Sequence, residues 1–386
     1  MPIPSAISDL STTPSLNSPA GSESPALVDD YLRTHAAFIK QVSDSNNTTN
    51  VKLTDNQTIA GTKTFSSAPV VPGLNGGQLA GMRNKIINGA LKVDQRNAGA
   101  SQTFTAGAAL AYCADRWYGY CTGANVTGQR IALSDGQNRY RFTGAASNTG
   151  VGFGQRIEAV NSLDLAGLTA TLSVKLSSSS LTSITWTAFR ANTTDAFGTL
   201  ASPTRTQIAT GTFTINSTEA TYSANISVPS AATTGIEIVF TGGALLGTQT
   251  LTIGDVQLEV GSVATPFEHR PYGAELALCQ RYYCKSYEQS ATPGASTAAG
   301  CVSIQRTSTA SADYFSVRFP VNMRSAPTTI TTYSTITGAS GQIRNLSGAS
   351  DVAANVINAG ESGFSFTWTA VVAAPYQFQY TATSEL

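Results

Sequence analysis

Cutting a glycosidic bond takes two carboxylates facing each other across the sugar, one to give a proton and one to activate water or attack. The acids that stand out in the middle of this chain are Glu158, Asp164, Glu219, Glu237, Asp255 and Glu259. They are scattered singly, and only the fold could bring two of them together. A general base is poorly supplied, because the two histidines, His35 and His269, fall in a helical segment and in a motif-dense segment. Neither GxSxG nor a P-loop is present. GVGFGQR (150–156) is glycine-rich but leads into a strand-like segment, so it does not read as a phosphate loop. The five cysteines are Cys113, Cys121, Cys279, Cys284 and Cys301. They lack the paired short spacings of a zinc site, which predicts buried free thiols. An enzyme is not expected.

Binding chemistry is better supplied. Sugar recognition sets an aromatic ring against the apolar face of a pyranose, with hydroxyls and amides around it. Tyr118, Tyr120, Tyr314 and Tyr333 are the candidates, against the plainer role of covering a sheet edge. Trp117, Trp186 and Trp368 read as core, and Asp115 with Arg116 as an internal ion pair or turn cap. Charged residues make up 12%, with Lys+Arg and Asp+Glu equal at 23 each. That balance argues against nucleic acid and against an anionic membrane surface as partners. No apolar run is long enough for a membrane span, and MPIPSAISDLSTTPSLNSPAG has the form of no secretory signal.

The elements that must position these residues follow from periodicity. Residues 1–25 read as an extended arm. After Pro25, Val28, Leu32, His35, Ile39 and Val42 step by fours and threes, an a/d seam of about two heptads. Asp29 and Asp30 suit its first turn and Lys40 its last. A stripe on so short a helix needs a partner, either sister chains or a host protein surface. The polar run 43–50 reads as a break, and PGLNGGQLAG (72–81) as a hinge. From about 84 to 275 the period is two: Val151, Phe153 and Ile157; Leu172, Val174 and Leu176; Ile236, Ile238 and Phe240. The parity switches at Gly254–Asp255, which predicts a bulge. GAELALCQRYY (273–283) reads as a helical connector. Beyond it a second alternating pattern includes Phe315, Val317 and Phe319, then Phe364, Phe366 and Trp368. The fold expected is mostly β. It comprises an N-terminal arm and helix (1–50), a shaft and hinge (51–83), a β-sandwich (84–275), and a connector with a second, C-terminal β-sandwich (276–386).

Several phrases carry a resemblance. NKIINGALKVDQRNAG (84–99) with ADRWYGY (114–120), and DVQLEVGSVATPFEHRPYGAELALCQRYY (255–283), resemble the two ends of a jelly-roll domain, like a carbohydrate-binding module, in bacteriophage tail-fibre and receptor-binding proteins. NSPAGSESPALVDDYLRTHAAFIK (17–40) resembles the N-terminal helix of phage tail appendages, and VKLTDNQTIAGTKTFSSAPVV (51–71) a fibre-shaft repeat. VRFPVNMRSAPTTITTY (317–333) resembles a C-terminal fibre domain. The resemblance implies a virion protein assembled in the host cytoplasm, a homotrimer with Leu53, Ile59 and Phe65 on the shaft axis. It implies attachment to other virion proteins through the N-terminus and binding of a host-surface glycan. Related sandwiches also hold calcium, for which Glu158 and Asp255 are the candidate ligands; no other cofactor is implied. The alternatives are a head fibre or collar protein without a specific receptor, and a polysaccharide depolymerase.

Overall fold

The computed structural model describes residues 28–49, 81–107, 109–306, 313–368 and 374–386. The chain forms two compact units, Met1–Val70 and Val71–Leu386. The expected shaft residues Leu53, Ile59 and Phe65, and the hinge as far as residue 80, lie outside the described residues.

In the first unit, helix α1 spans Val28–Thr49. It contains no Gly or Pro, so nothing in the backbone stops it, and it runs on through the polar stretch expected to end it. Lys40 therefore stands mid-helix. Val28, Leu32, Ile39 and Val42 are exposed, Leu32 at 64% and Ile39 at 71%. His35 is half-buried. The buried positions are Tyr31 and Phe38, one residue earlier in each heptad than Leu32 and Ile39. The expected seam omitted them.

In the second unit, twelve strands come first: β1 (Gln102–Phe104), β2 (Ala111–Tyr112), β3 (Trp117–Thr122), β4 (Val126–Ala132), β5 (Asn138–Thr143), β6 (Gly150–Ile157), β7 (Thr169–Ser178), β8 (Ser183–Ala191), β9 (Arg205–Thr214), β10 (Ala220–Ser227), β11 (Ile236–Gly242) and β12 (Thr250–Val260). They make two six-stranded antiparallel sheets, in the orders β1-β4-β5-β12-β7-β10 and β2-β3-β6-β11-β8-β9. Alternation sends every second side chain of each sheet into one shared core. Trp117 stacks on Phe153 there, with centroids 4.5 Å apart and planes 4° apart. The register of β12 against β7 shifts between Gly254 and Gln257, and Asp255 takes a left-handed φ of 45°. That is the bulge the parity switch predicts. A short helix α2 (Ala159–Ser162) follows β6, and α3 (Tyr272–Gln280) occupies the connector.

Eight further strands complete the unit: β13 (Tyr283–Lys285), β14 (Val302–Gln305), β15 (Asp313–Arg318), β16 (Thr329–Ser334), β17 (Gln342–Asn345), β18 (Ser350–Gly360), β19 (Gly363–Trp368) and β20 (Pro375–Thr383). The first part of β18 pairs with β17 and the second with β19, so one sheet folds over its own core. That core is aromatic: Phe364, Phe366, Trp368, Tyr376, Phe378 and Tyr380. β20 pairs with four strands, β13, β14, β16 and β17.

The motif-dense ends meet each other. Glu268 accepts the Arg83 and Asn84 amides at 3.2 and 2.9 Å, and Arg270 donates to the carbonyls of Asn84 and Ile86. Asp115 and Arg116 do not pair with each other. Asp115 accepts the Gln95 amide at 3.0 Å, while Arg116 pairs with Glu385 and lies 3.4 Å over the Tyr282 ring. The physical reason is burial: both are about 1% exposed or less, and each charge needs its own partner from another segment. Trp117 donates Nε1–H to the Asn88 carbonyl at 3.0 Å. These residues close the fold and tie the C-terminal sheet to the sandwich. Cys113, Cys121, Cys279 and Cys284 are buried free thiols, and Cys301 is a half-buried one.

Candidate functional site

The outer face of the second sandwich sheet carries two of the tyrosine candidates, Tyr118 and Tyr120 on β3. On β3, β6, β11 and β8 the core takes Trp117, Phe153, Ile238 and Trp186. Their neighbours must face outward. Register sets those neighbours in two rows across the sheet. One row runs Tyr118, Gly154, Val239, Thr187, Thr210; the next runs Tyr120, Gly152, Thr241, Thr185, Thr212. The two glycines make the site. A Cβ at Gly152 would lie 2.1 Å from a Tyr120 ring carbon, and one at Gly154 would lie 2.4 Å from the Tyr118 hydroxyl oxygen. Both rings therefore recline across β6 on bare backbone. The segment that does not read as a phosphate loop is a bed for two tyrosines.

The two tyrosines differ in depth. Tyr118 is fully buried, its hydroxyl donating to Glu237 at 2.7 Å, and burial pushes its phenol well up. It is an underlying layer and not a ligand contact, which corrects the expectation placed on it. Tyr120 stays half-buried. Burial raises its phenol, Arg205 opposes that and Glu237 adds to it. Glu237 is wholly buried beneath this surface. It receives Arg156 Nε at 2.8 Å and pairs with Arg205. The Arg205 guanidinium lies 4.1 Å over the Phe189 ring. Beside them the Thr187 and Thr210 hydroxyls are 3.0 Å apart. A flat phenol, a guanidinium resting on an aromatic ring, and rows of threonine hydroxyls can stack a sugar ring and hydrogen-bond its edge.

The six singled-out acids have other employment. Glu158 accepts the Tyr282 hydroxyl at 2.6 Å and Arg281 at 3.2 Å. Asp164 takes Lys85, and Glu259 takes the Thr265 hydroxyl at 2.6 Å. Glu219 and Asp255 meet only through Arg139, and Asp255 also takes Lys175 at 2.9 Å. Glu158 follows β6 in one sheet and Asp255 lies in β12 of the other. Each of these two candidate calcium ligands already serves cationic side chains, Arg281 for Glu158 and Arg139 and Lys175 for Asp255. Among the described residues no group of three or more His, Cys, Asp or Glu is placed to hold a metal ion.

The remaining tyrosine candidates sit apart on the C-terminal sheet. Tyr314 is 71% exposed on β15, where its register partner is Thr367 and the next outward pair is Ser316 with Ser365, hydroxyls 2.9 Å apart. Tyr333 on β16 is half-buried and packs edge-on against Tyr287 at 5.9 Å. Sequence reading missed Arg205 and Phe189. Their role depends on which strands are neighbours, and the signal available was the pairing of two outward tyrosines with two outward glycines.

No protein-family model matches this chain, and no curated protein matches it. Solved structures with a similar trace include a family 4 carbohydrate-binding module, at 17% identity and a TM-score of 0.28, covering 45% of this chain and 97% of that one. A second, a putative sugar-binding protein of Bacteroides thetaiotaomicron, shows 14% identity and a TM-score of 0.31, covering 46% and 99%. A third is the enzymatically active domain of bacteriophage CBA120 tailspike protein 4, at 14% identity and a TM-score of 0.30, covering 46% of this chain and 21% of that one.

Proposed function

We propose that this chain is a non-enzymatic bacteriophage tail fibre that binds a host-surface glycan through the outer face of its second sandwich sheet. The observation that carries the binding reading is the Tyr120 ring, half-buried and laid over Gly152 beside rows of threonine hydroxyls. The viral reading rests on the sequence phrases at 17–40, 51–71, 84–120, 255–283 and 317–333. In this reading the chain is a homotrimer. The N-terminal helix docks it to other virion proteins, and its exposed Val28, Leu32, Ile39 and Val42 are the surface available for that or for sister helices. Three weak sites on one fibre, and several fibres per particle, then give avidity without tight single contacts. The depolymerase alternative loses ground because each of the six candidate acids is bonded to a cation or a hydroxyl.

The deciding experiment is binding of the full chain to host cells and to their purified surface polysaccharide, wild type against Tyr120→Ala and Tyr314→Ala. Loss with Tyr120→Ala alone supports the sandwich face. Loss with Tyr314→Ala alone moves the site to the C-terminal sheet, and release of new reducing ends would revive the enzyme.

A further inference from the structure

The charges on the proposed face are unequal. Its outward strand positions carry Arg156 and Arg205 but one carboxylate, Glu237. Arg156 is fully committed: Nε to Glu237 at 2.8 Å, Nη1 to the Leu386 carbonyl at 2.8 Å and Nη2 to the Gly198 carbonyl at 2.9 Å. Glu237 is likewise saturated, with Tyr118, Arg156 and Arg205 all directed at it. Arg205 is different. Its Nη1 engages Glu237 and the guanidinium also meets the Tyr118 hydroxyl, which leaves further N–H donors of its five, and none of its nitrogens is among the buried unpaired atoms. Phe189 beneath the guanidinium holds its plane in place. The surrounding outward positions are Tyr120, Thr185, Thr187, Gln207, Thr210, Thr212 and Thr241, all uncharged.

A guanidinium fixed on one side, stacked on a ring and left with donors in an uncharged surround is suited to an anionic group. We propose that the ligand of this face is an acidic saccharide, whose carboxylate or phosphate ester is received by Arg205 while Tyr120 stacks on the sugar. This rests on the glycan-binding reading above and names the class of sugar. The excess positive charge is local, since the whole chain balances at 23 of each sign.

The test measures binding of the full chain to host capsular and lipopolysaccharide fractions in three forms: native, carboxyl-reduced and dephosphorylated. The expected result is about tenfold weaker binding of whichever form has lost its anion, and weakening of the native interaction by added salt. Arg205→Gln should erase the difference between forms, whereas Tyr120→Ala should weaken all of them. Since Arg205→Gln also disturbs Glu237, Gln207→Glu provides a second arm. It keeps both Arg205 and Glu237, sets a competing carboxylate at an exposed position whose register partner is Phe189, and should also erase the difference. Equal binding of native, carboxyl-reduced and dephosphorylated forms, still lost with Tyr120→Ala, overturns the acidic ligand and leaves the glycan face standing. Binding unaffected by Tyr120→Ala overturns both.

Discussion

The guanidinium of Arg116 lies 3.4 Å over the ring of Tyr282 and pairs with Glu385, so one side chain spans the opening motif, the closing motif and the last β-strand's exit. The side chains of Arg116 and Glu385 are 1% and 6% exposed. Removing one partner of a buried pair leaves the other charge without compensation, which typically costs about 3–5 kcal/mol. Arg116→Ala should lower the free energy of unfolding by that order in denaturant titration, and it should separate melting of the C-terminal sheet from that of the sandwich. A single unsplit transition with unchanged midpoint would contradict the role assigned to this contact.

Gly152→Ala tests the tyrosine bed. The added methyl has no room beneath the Tyr120 ring, which must lift or turn. The stability cost should be modest, about 1–3 kcal/mol. Glycan binding should fall roughly tenfold as the stacking surface tilts. Equal affinity for wild type and variant, in a titration against host polysaccharide, would remove Tyr120 from the site.

Stability should follow pH through two buried groups near the domain contact. Burial pushes the Asp115 carboxyl up to about 6, against the lowering influence of Arg96 and Gln95. Between its ordinary 3.8 and 6 the folded chain holds a proton that the unfolded chain has released, so this group's contribution falls as pH rises through that window. Burial pushes the Lys285 ammonium down to about 8 from 10.5, opposed by Asp115 and Asp94. Between 8 and 10.5 the unfolded chain binds the extra proton, so stability rises with pH there. Urea unfolding across both windows should show these slopes, flattened in Asp115→Asn and in Lys285→Met respectively.

The helix face can be tested without altering the β domains. Leu32→Asp with Ile39→Asp changes two exposed side chains and should leave the melting of the second unit unchanged. If α1 joins sister chains, sedimentation should drop from three 40.1 kDa chains to one. Trimers that survive the double change would place assembly elsewhere.

What the sequence discloses here follows the range of its signals. Period-two runs reveal the strands, because burial of one sheet face is a local pattern; Trp117, Trp186 and Trp368 read as core for the same reason. The bulge at Asp255 shows as a parity switch for the same reason. Tyr118 and Tyr120 stand two apart and look equivalent, yet one is sealed and the other is not. The difference comes from Glu237 and Arg205, distant in sequence and joined to them only through strand order. Tyr31 and Phe38 went unread because the more aliphatic stripe beside them fits a heptad better. The six scattered acids show most plainly what spacing cannot tell, since Glu158 finds its partner 124 residues away.

The pairing of β20 bears on how this chain is made. Four strands, β13, β14, β16 and β17, find their edge on a segment that leaves the ribosome after all of them. The sandwich can collapse during synthesis, whereas the C-terminal sheet must wait with open edges until residue 383 is free. Its aromatic core is therefore the part most exposed to aggregation, and the part for which chaperone dependence and slow translation should matter.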